Sequence, residues 1–541
     1  MRKLFTLVFA ISVIFYSSLQ AQDAGMNITG SAKLNLETGT YVIMEGDLKI
    51  SVADGLIIPP STYVTVGGDM SLDARKSITV QTDTTGSLGT PRGSLIFNGS
   101  SVSHTNKGSI EVQSYITGSA GTNYFMHFVG APVEDTTTGW TKKVRLQQFD
   151  MTYLDTYAFE WDATADTNTE QPWVNVWPYW YEVPVGNGLT LSNYEAGRDT
   201  IIMEGYPVSG SVSYTIRNVV NNGLELISNP FPSAIDFDDF ADDNSTCMQD
   251  KYWIYSASGG NYITRSDGSG GSQYIQYGQG FFVETKANGN ISFTSTYKVH
   301  NTVAFRETNP NEISMHVTGG TIGFEDDLYI RFREGASGGI DDYDAKKWNS
   351  VSAGATMIRS IAEDGSELAI NMLPPEYLYA GETTVPVYFE CGEDAEYAFS
   401  FEGLESFDNE TEIWLEDLTA GADWVNISNG DYTYMFTASP GDAKHRFNIH
   451  FFGPTSIEEP GNNTNGKILI FSSKNEAYVV NKTNETIKEV TIYDMLGQEI
   501  LRKEVPAQIT NKFHVSNQTG YYVVRVLTDK QVHTGKILIL K

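Results

Sequence analysis

Ile492-Tyr-Asp-Met-Leu-Gly-Gln-Glu-Ile500, followed by Gly520-Tyr-Tyr-Val-Val-Arg-Val526 and Gly535-Lys-Ile-Leu-Ile-Leu540, is the stretch that decides the fold. Short runs rich in β-branched and aromatic residues are cut by the turn-forming pairs Leu496-Gly497, Thr519-Gly520 and Asp529-Lys530, the grammar of antiparallel strands. With Lys467-Ile-Leu-Ile-Phe471 they predict a small β-sandwich over 467–541. Ser456-Ile-Glu-Glu-Pro-Gly-Asn-Asn-Thr-Asn-Gly466 before it is polar and carries Pro460, which predicts an exposed linker over 456–466.

The same grammar runs through the rest of the chain. With 50 Gly, 30 Tyr and 27 Phe, and almost no long helical pattern, the sequence predicts an all-β protein of tandem domains. Over 22–117, strands such as Gly39-Thr-Tyr-Val-Ile-Met44, Gly46-Asp-Leu-Lys-Ile-Ser51 and Lys76-Ser-Ile-Thr-Val80 are too short to bury a core in pairs, so stacked coils are the economical solution. An irregular β-solenoid and a sandwich lead-in both fit. Over 118–300, aromatic strands alternate with Gly, Asn and Pro turns and predict a β-sandwich. Asn229-Pro-Phe-Pro232 reads there as a rigid bend, since each Pro removes a donor and restricts its predecessor. Over 301–455, alternating runs such as Asp327-Leu-Tyr-Ile-Arg-Phe332 and His445-Arg-Phe-Asn-Ile-His-Phe451 predict a second sandwich of jelly-roll or immunoglobulin type.

The 541 residues hold 67 acidic and 36 basic side chains, a net charge of −31. Such a surface repels phosphate backbones and argues against nucleic acid and anionic lipid as partners. Arg2 and Lys3, the apolar run from Leu4 to Tyr16 and the small residues of Ser17-Ser-Leu-Gln-Ala21 read as a signal peptide over 1–21. No later stretch is apolar for the roughly 18 residues that a membrane helix needs. Cys247 and Cys391 fall in different predicted domains; an oxidising compartment would allow a disulfide, but spacing alone does not bring the pair within bridging range, and two buried free thiols are expected.

Catalytic motifs are missing: the chain has no HExxH, no GxSxG, no phosphate-binding loop and no Cys/His metal spacing. Its carboxylates are too numerous for sequence to select a glycosidase pair, whose separation belongs to the fold. The expectation is a protein that is not an enzyme. Asp341, Asp342 and Asp344 offer oxygen ligands for Ca²⁺ at a loop, although the Gly and terminal Glu of an EF-hand loop are absent. Trp173, Trp177 and Trp180, in a cluster with Trp161, Tyr179 and Tyr181, are the candidates for stacking on a surface polysaccharide. Period-two packing of the same residues as core is the competing reading.

The C-terminal motifs quoted above resemble the type A sorting domain of type IX secretion cargo from Bacteroidetes. Gly93-Ser-Leu-Ile-Phe-Asn98, Glu225-Leu-Ile-Ser-Asn-Pro-Phe-Pro232 and Gly278-Gln-Gly-Phe-Phe-Val-Glu284 look like stretches of large flavobacterial surface proteins. The resemblance implies an immunoglobulin-like sorting module marked by Tyr493, Asp494, Leu496, Gly497 and Gly520. It further implies passage through the periplasm to the outer-membrane surface or the medium, with the secretion machinery and a sorting peptidase as partners. An adhesin-like or structural surface protein is the expected role. A carbohydrate-binding surface protein is the alternative, and a divergent secreted hydrolase, which needs a carboxylate pair in a cleft, stands behind it.

Overall fold

The computed structural model describes residues 19–21, 25–82, 92–105, 108–118, 125–134, 143–145, 156–167, 171–175, 182–193, 197–217, 223–257, 259–300, 309–352, 354–379, 382–408, 411–419, 424–428, 432–452, 468–473, 476–481, 485–505, 510–515 and 520–539. The chain is all-β, with one short α-helix, Phe237–Asp243, among the described residues. No described helix is long and apolar enough to cross a membrane. Most of the signal-peptide region and the whole 456–466 linker lie outside the described residues.

The first part winds as a three-sided parallel coil. Met26–Ile28, Leu48–Ile50, Met70–Leu72 and Val102–His104 stack along one side. Tyr41–Met44, Tyr63–Val66 and Ser94–Phe97 make the second side, joined by Leu19–Ala21 at its edge. Leu34–Asn35, Leu56–Ile58, Ile78–Val80 and Ile110–Gly118 make the third. Alternation within such short strands sends two residues of three inward. Leu48, Ile50, Leu56, Ile58, Val64 and Val66 are all 0% exposed. At one corner aspartates tie successive coils together. Asp69 N–H donates to Asp47 Oδ1 across 22 residues at 3.0 Å, and the N–H groups of Ser100 and Ser101 donate to Asp69 Oδ1 at 2.9 and 3.0 Å.

The last coil hands over to the second part through Ile110–Gly118, which pairs antiparallel with Gly197–Gly205. Two sheets follow. One contains Phe125–Gly130, Gly188–Asn193, Thr156–Trp161 and Trp173–Asn175; the other is centred on Gly280–Thr285 and Met248–Ser256. The Asn229-Pro-Phe-Pro232 bend is buried and internally bonded. Asn229 Nδ2 donates to Ser233 O and Ile275 O at 2.8 and 3.0 Å, while its Oδ1 accepts from Phe231 N–H at 3.0 Å. Pro232 O accepts from Leu95 N–H of the coil at 2.9 Å, so the bend also docks the coil.

In the third part eleven strands join one continuous sheet instead of two separate ones. The sheet rolls on itself, bringing Phe399 to 4.8 Å from Phe447 and Phe389 to 5.0 Å from Phe436 around a single core. The C-terminal module has two sheets, of three and four strands, closing over Val479, Val490, Ile492, Val524 and Val526. Its Asp494 forms the tip. Asp494 Oδ1 accepts from the N–H groups of Leu496 and Gln498, both at 2.8 Å, and Gly497 takes φ +83°, a conformation open to Gly at little cost.

Candidate functional site

The described residues form an open cleft of about 700 Å³ in the second part, a size that suits a ligand. One wall is the turn after Thr156–Trp161, where Asp162 Oδ1 accepts from the N–H and the hydroxyl of Thr164 at 2.8 and 2.6 Å. Those bonds hold the Asp162 carboxyl below its ordinary range, so it is ionised at neutral pH. The opposite wall is the strand Val212–Ile216 with Arg217 beyond it, and Pro184, Val185 and Asn187 close one end.

Glu225 projects from Leu224–Ser228 to the cleft lining although the residue is only 3% exposed. Its Oε1 accepts from Arg217 N–H at 2.9 Å and its Oε2 from the Tyr214 hydroxyl at 3.2 Å. Burial pushes its carboxyl up to about 7, against the stabilising pull of those two hydrogen bonds and of the Arg217 charge. Burial, and then the Glu225 charge, push the Tyr214 hydroxyl upward as well, which keeps it a neutral donor. The cleft therefore joins a fixed anion, a carboxylic acid poised near neutrality and one cation.

Of the sequence-predicted stacking residues, Trp173 is half-buried and packs edge-on against Trp161 at 5.0 Å and Phe282 at 5.8 Å. It belongs to an aromatic core, not to an open platform. Trp177 and Trp180 lie outside the described residues. The three loop aspartates are engaged separately. Asp341 accepts from Ser337 N–H and Tyr343 N–H, Asp342 from Gln249, and Asp344 from the N–H groups of Asp341 and Met372. Among the described residues no group of three or more His, Cys, Asp or Glu is placed to hold a metal ion, so the structure does not assemble these aspartates into a Ca²⁺ site. Cys247 and Cys391 are free and partly buried.

In the C-terminal module, Tyr493 and Asp494 end the strand Ile487–Asp494, Gly520 opens Gly520–Thr528, and Leu496 stands 95% exposed at the hairpin tip. Sequence reading missed the cleft residues Glu225, Tyr214, Asp162 and Arg217. Glu225 sat in a quoted motif, but nothing local distinguishes it from the other acidic residues.

Residues 34–451 match the family model described as Domain of unknown function (DUF8693), and residues 456–539 match a second, Domain of unknown function (DUF8694). The interval between the two models meets the start of the predicted linker. No curated protein matches the chain. A solved structure described as "Central Fibronectin-III array of RIM-binding protein" is similar over 62% of this chain and 98% of that chain, at 9% identity and a TM-score of 0.10, a score that carries no argument.

Proposed function

For a chain that belongs to the family Domain of unknown function (DUF8693), we propose a non-catalytic, adhesin-like or structural role at the cell surface, reached by type IX secretion. The observation that carries this reading is the C-terminal module. It has its own core of Val479, Val490, Ile492, Val524 and Val526 and its own family model, and its motifs resemble a sorting domain. A separately folded terminal module is what a removable export signal requires. Everything upstream is the cargo. Its stacked and rolled sheets hold a rigid, acidic surface, and the cleft gives that surface a place to bind.

The test is removal of 466–541 in a Bacteroidetes host. The truncated chain is expected to fold and to accumulate in the periplasm, and mass spectrometry of the full-length protein's surface form is expected to lack the peptide Ile537-Leu-Ile-Leu-Lys541. Normal surface levels of the truncated chain, or recovery of that peptide on the surface form, would overturn the reading.

A further inference from the structure

Among the described residues, the strand Val212–Ile216 pairs on one side only, with Gly289–Phe293. Which of its backbone groups face away follows from the partner strand. Ser292 N–H donates to Asn244 Oδ1 at 2.9 Å, and Ser292 O accepts from Asn244 Nδ2 at 3.3 Å, so Ser292 turns both groups away from its opposite residue, Ser213. Ser213 and Ser292 are therefore a non-hydrogen-bonded pair, and by alternation Thr215 and Asn290 are another. The N–H and C=O of Ser213 and of Thr215 point outward. Residue 217 has the same parity, and its N–H donates to Glu225, which places this edge along the cleft. Among the described residues no protein group bonds the backbone of Ser213 or Thr215.

We propose that this edge is a docking strand for an extended basic peptide segment of a partner protein. Two residues in phase, about 6.8 Å apart, present the donor and acceptor pairs that strand addition uses. The charge of the cleft selects the occupant. Asp162 and Glu225 line it against one cation, Arg217, a lining of at most one net negative charge set in a chain that carries −31, and that balance favours a Lys or Arg on the incoming strand. A second copy of this chain, at −31, meets a surface of like charge and is a poor match. A sugar finds little stacking surface. Trp161 spends its N–H on Leu224 O at 3.0 Å, and its ring meets Trp173 and Phe282 in edge-to-face contacts at 5.0 and 4.9 Å.

The proposal deepens the surface-protein reading by naming a partner class, but its test uses purified full-length chain, so export and peptide binding fail separately. The probe is a short fluorescent peptide alternating Lys with Val and Thr, followed by anisotropy. Saturable binding is expected. A Glu-for-Lys peptide, and a peptide N-methylated at alternate residues, should each bind at least about tenfold more weakly, as the loss of one or two hydrogen bonds or a charge pair implies. Ser213→Pro removes an outward N–H that the ladder does not use and should abolish binding at an unchanged melting temperature. If that variant misfolds, the N-methylated peptide against the unaltered chain decides. Equal binding of the Lys and Glu peptides, indifference to N-methylation, absence of saturable binding, or displacement of the peptide by a neutral oligosaccharide would overturn it.

Discussion

His450 shows how a single residue carries a charge into the core. Its Nδ1 lies 2.8 Å from Glu382 Oε1 and its Nε2 3.0 Å from Glu416 Oε2, while the ring stacks on Trp424 at 3.8 Å. Thr384 and Asn448 complete the surroundings, the hydroxyl at 3.2 Å from Nδ1 and the amide donating to Glu416 at 2.6 Å. Burial opposes the imidazolium, but the hydrogen bonds and charges of the two glutamates outweigh it and raise the imidazole above its ordinary value. A raised folded value stabilises fully below the unfolded imidazole pKa, about 6.5, and that stabilisation is lost as pH rises through the folded value. Chemical denaturation across this range should therefore show stability falling on the alkaline side. His450→Gln should flatten that slope and lower stability by about 3 kcal/mol, because Glu382 and Glu416 lose their buried partner. His445, on the same strand, is exposed and bonds Asn448 at 2.9 Å. Plain alternation over five positions would set the two histidines on opposite faces, but the register shift at Val387/Tyr388 turns His445 to Asn448, whose amide shares Glu416 with His450; neither that shift nor the glutamates, 68 and 34 positions from His450, was legible in the sequence.

At the scale of elements, the coil depends on close backbone approach at its corners. A Cβ on Gly108 would lie 1.8 Å from Leu72 O, and that oxygen cannot withdraw because the strand Met70–Leu72 is held by its neighbours on both sides. Gly108→Ala should therefore destabilise the coil by about 3 kcal/mol, the upper range for overpacking, with loss of protection from hydrogen exchange in Val102–His104 and Ile110–Gly118 before the rest. The short strands and their Gly and Asn turns were legible in the sequence. The 22-residue interval between stacked coils was not, since its recurring marks are little more than Gly46-Asp47 and Gly68-Asp69.

At the scale of the whole molecule, the second and third parts share a core. Trp348 stacks on Trp253 at 4.6 Å with an interplanar angle of 4° and meets Phe282 and Tyr262 edge-on at 5.3 and 5.2 Å. Polar bonds reinforce the seam: Lys251 Nζ donates to Asp344 O at 2.7 Å and Asn261 Nδ2 to Thr356 O at 2.7 Å. Two units joined this way should melt as one. Calorimetry is expected to show a single transition for 118–455, and Trp348→Ala should lower it for both parts together by about 3 kcal/mol, the lower end of the range for a large aromatic lost from a core. Two transitions, only one of which moves, would separate the parts.

The sequence by itself determined what depends on near neighbours. Period-two alternation made the chain all-β, and Asp494 with Gly497 set a tight tip that closes within five residues, Asp494 N–H donating to Gln498 O at 3.0 Å. Tertiary structure decided what depends on distant residues meeting. It placed Trp161 beside Leu224, 63 positions away, as core, and it rolled eleven strands into one sheet. It also built the cleft from Asp162, Tyr214 and Glu225 along a strand edge whose open side is set by Asn244 capturing Ser292, 48 positions off. Strand chemistry is local, but which edge stays unpaired and which carboxylate loses its water follow from the packing of the whole chain.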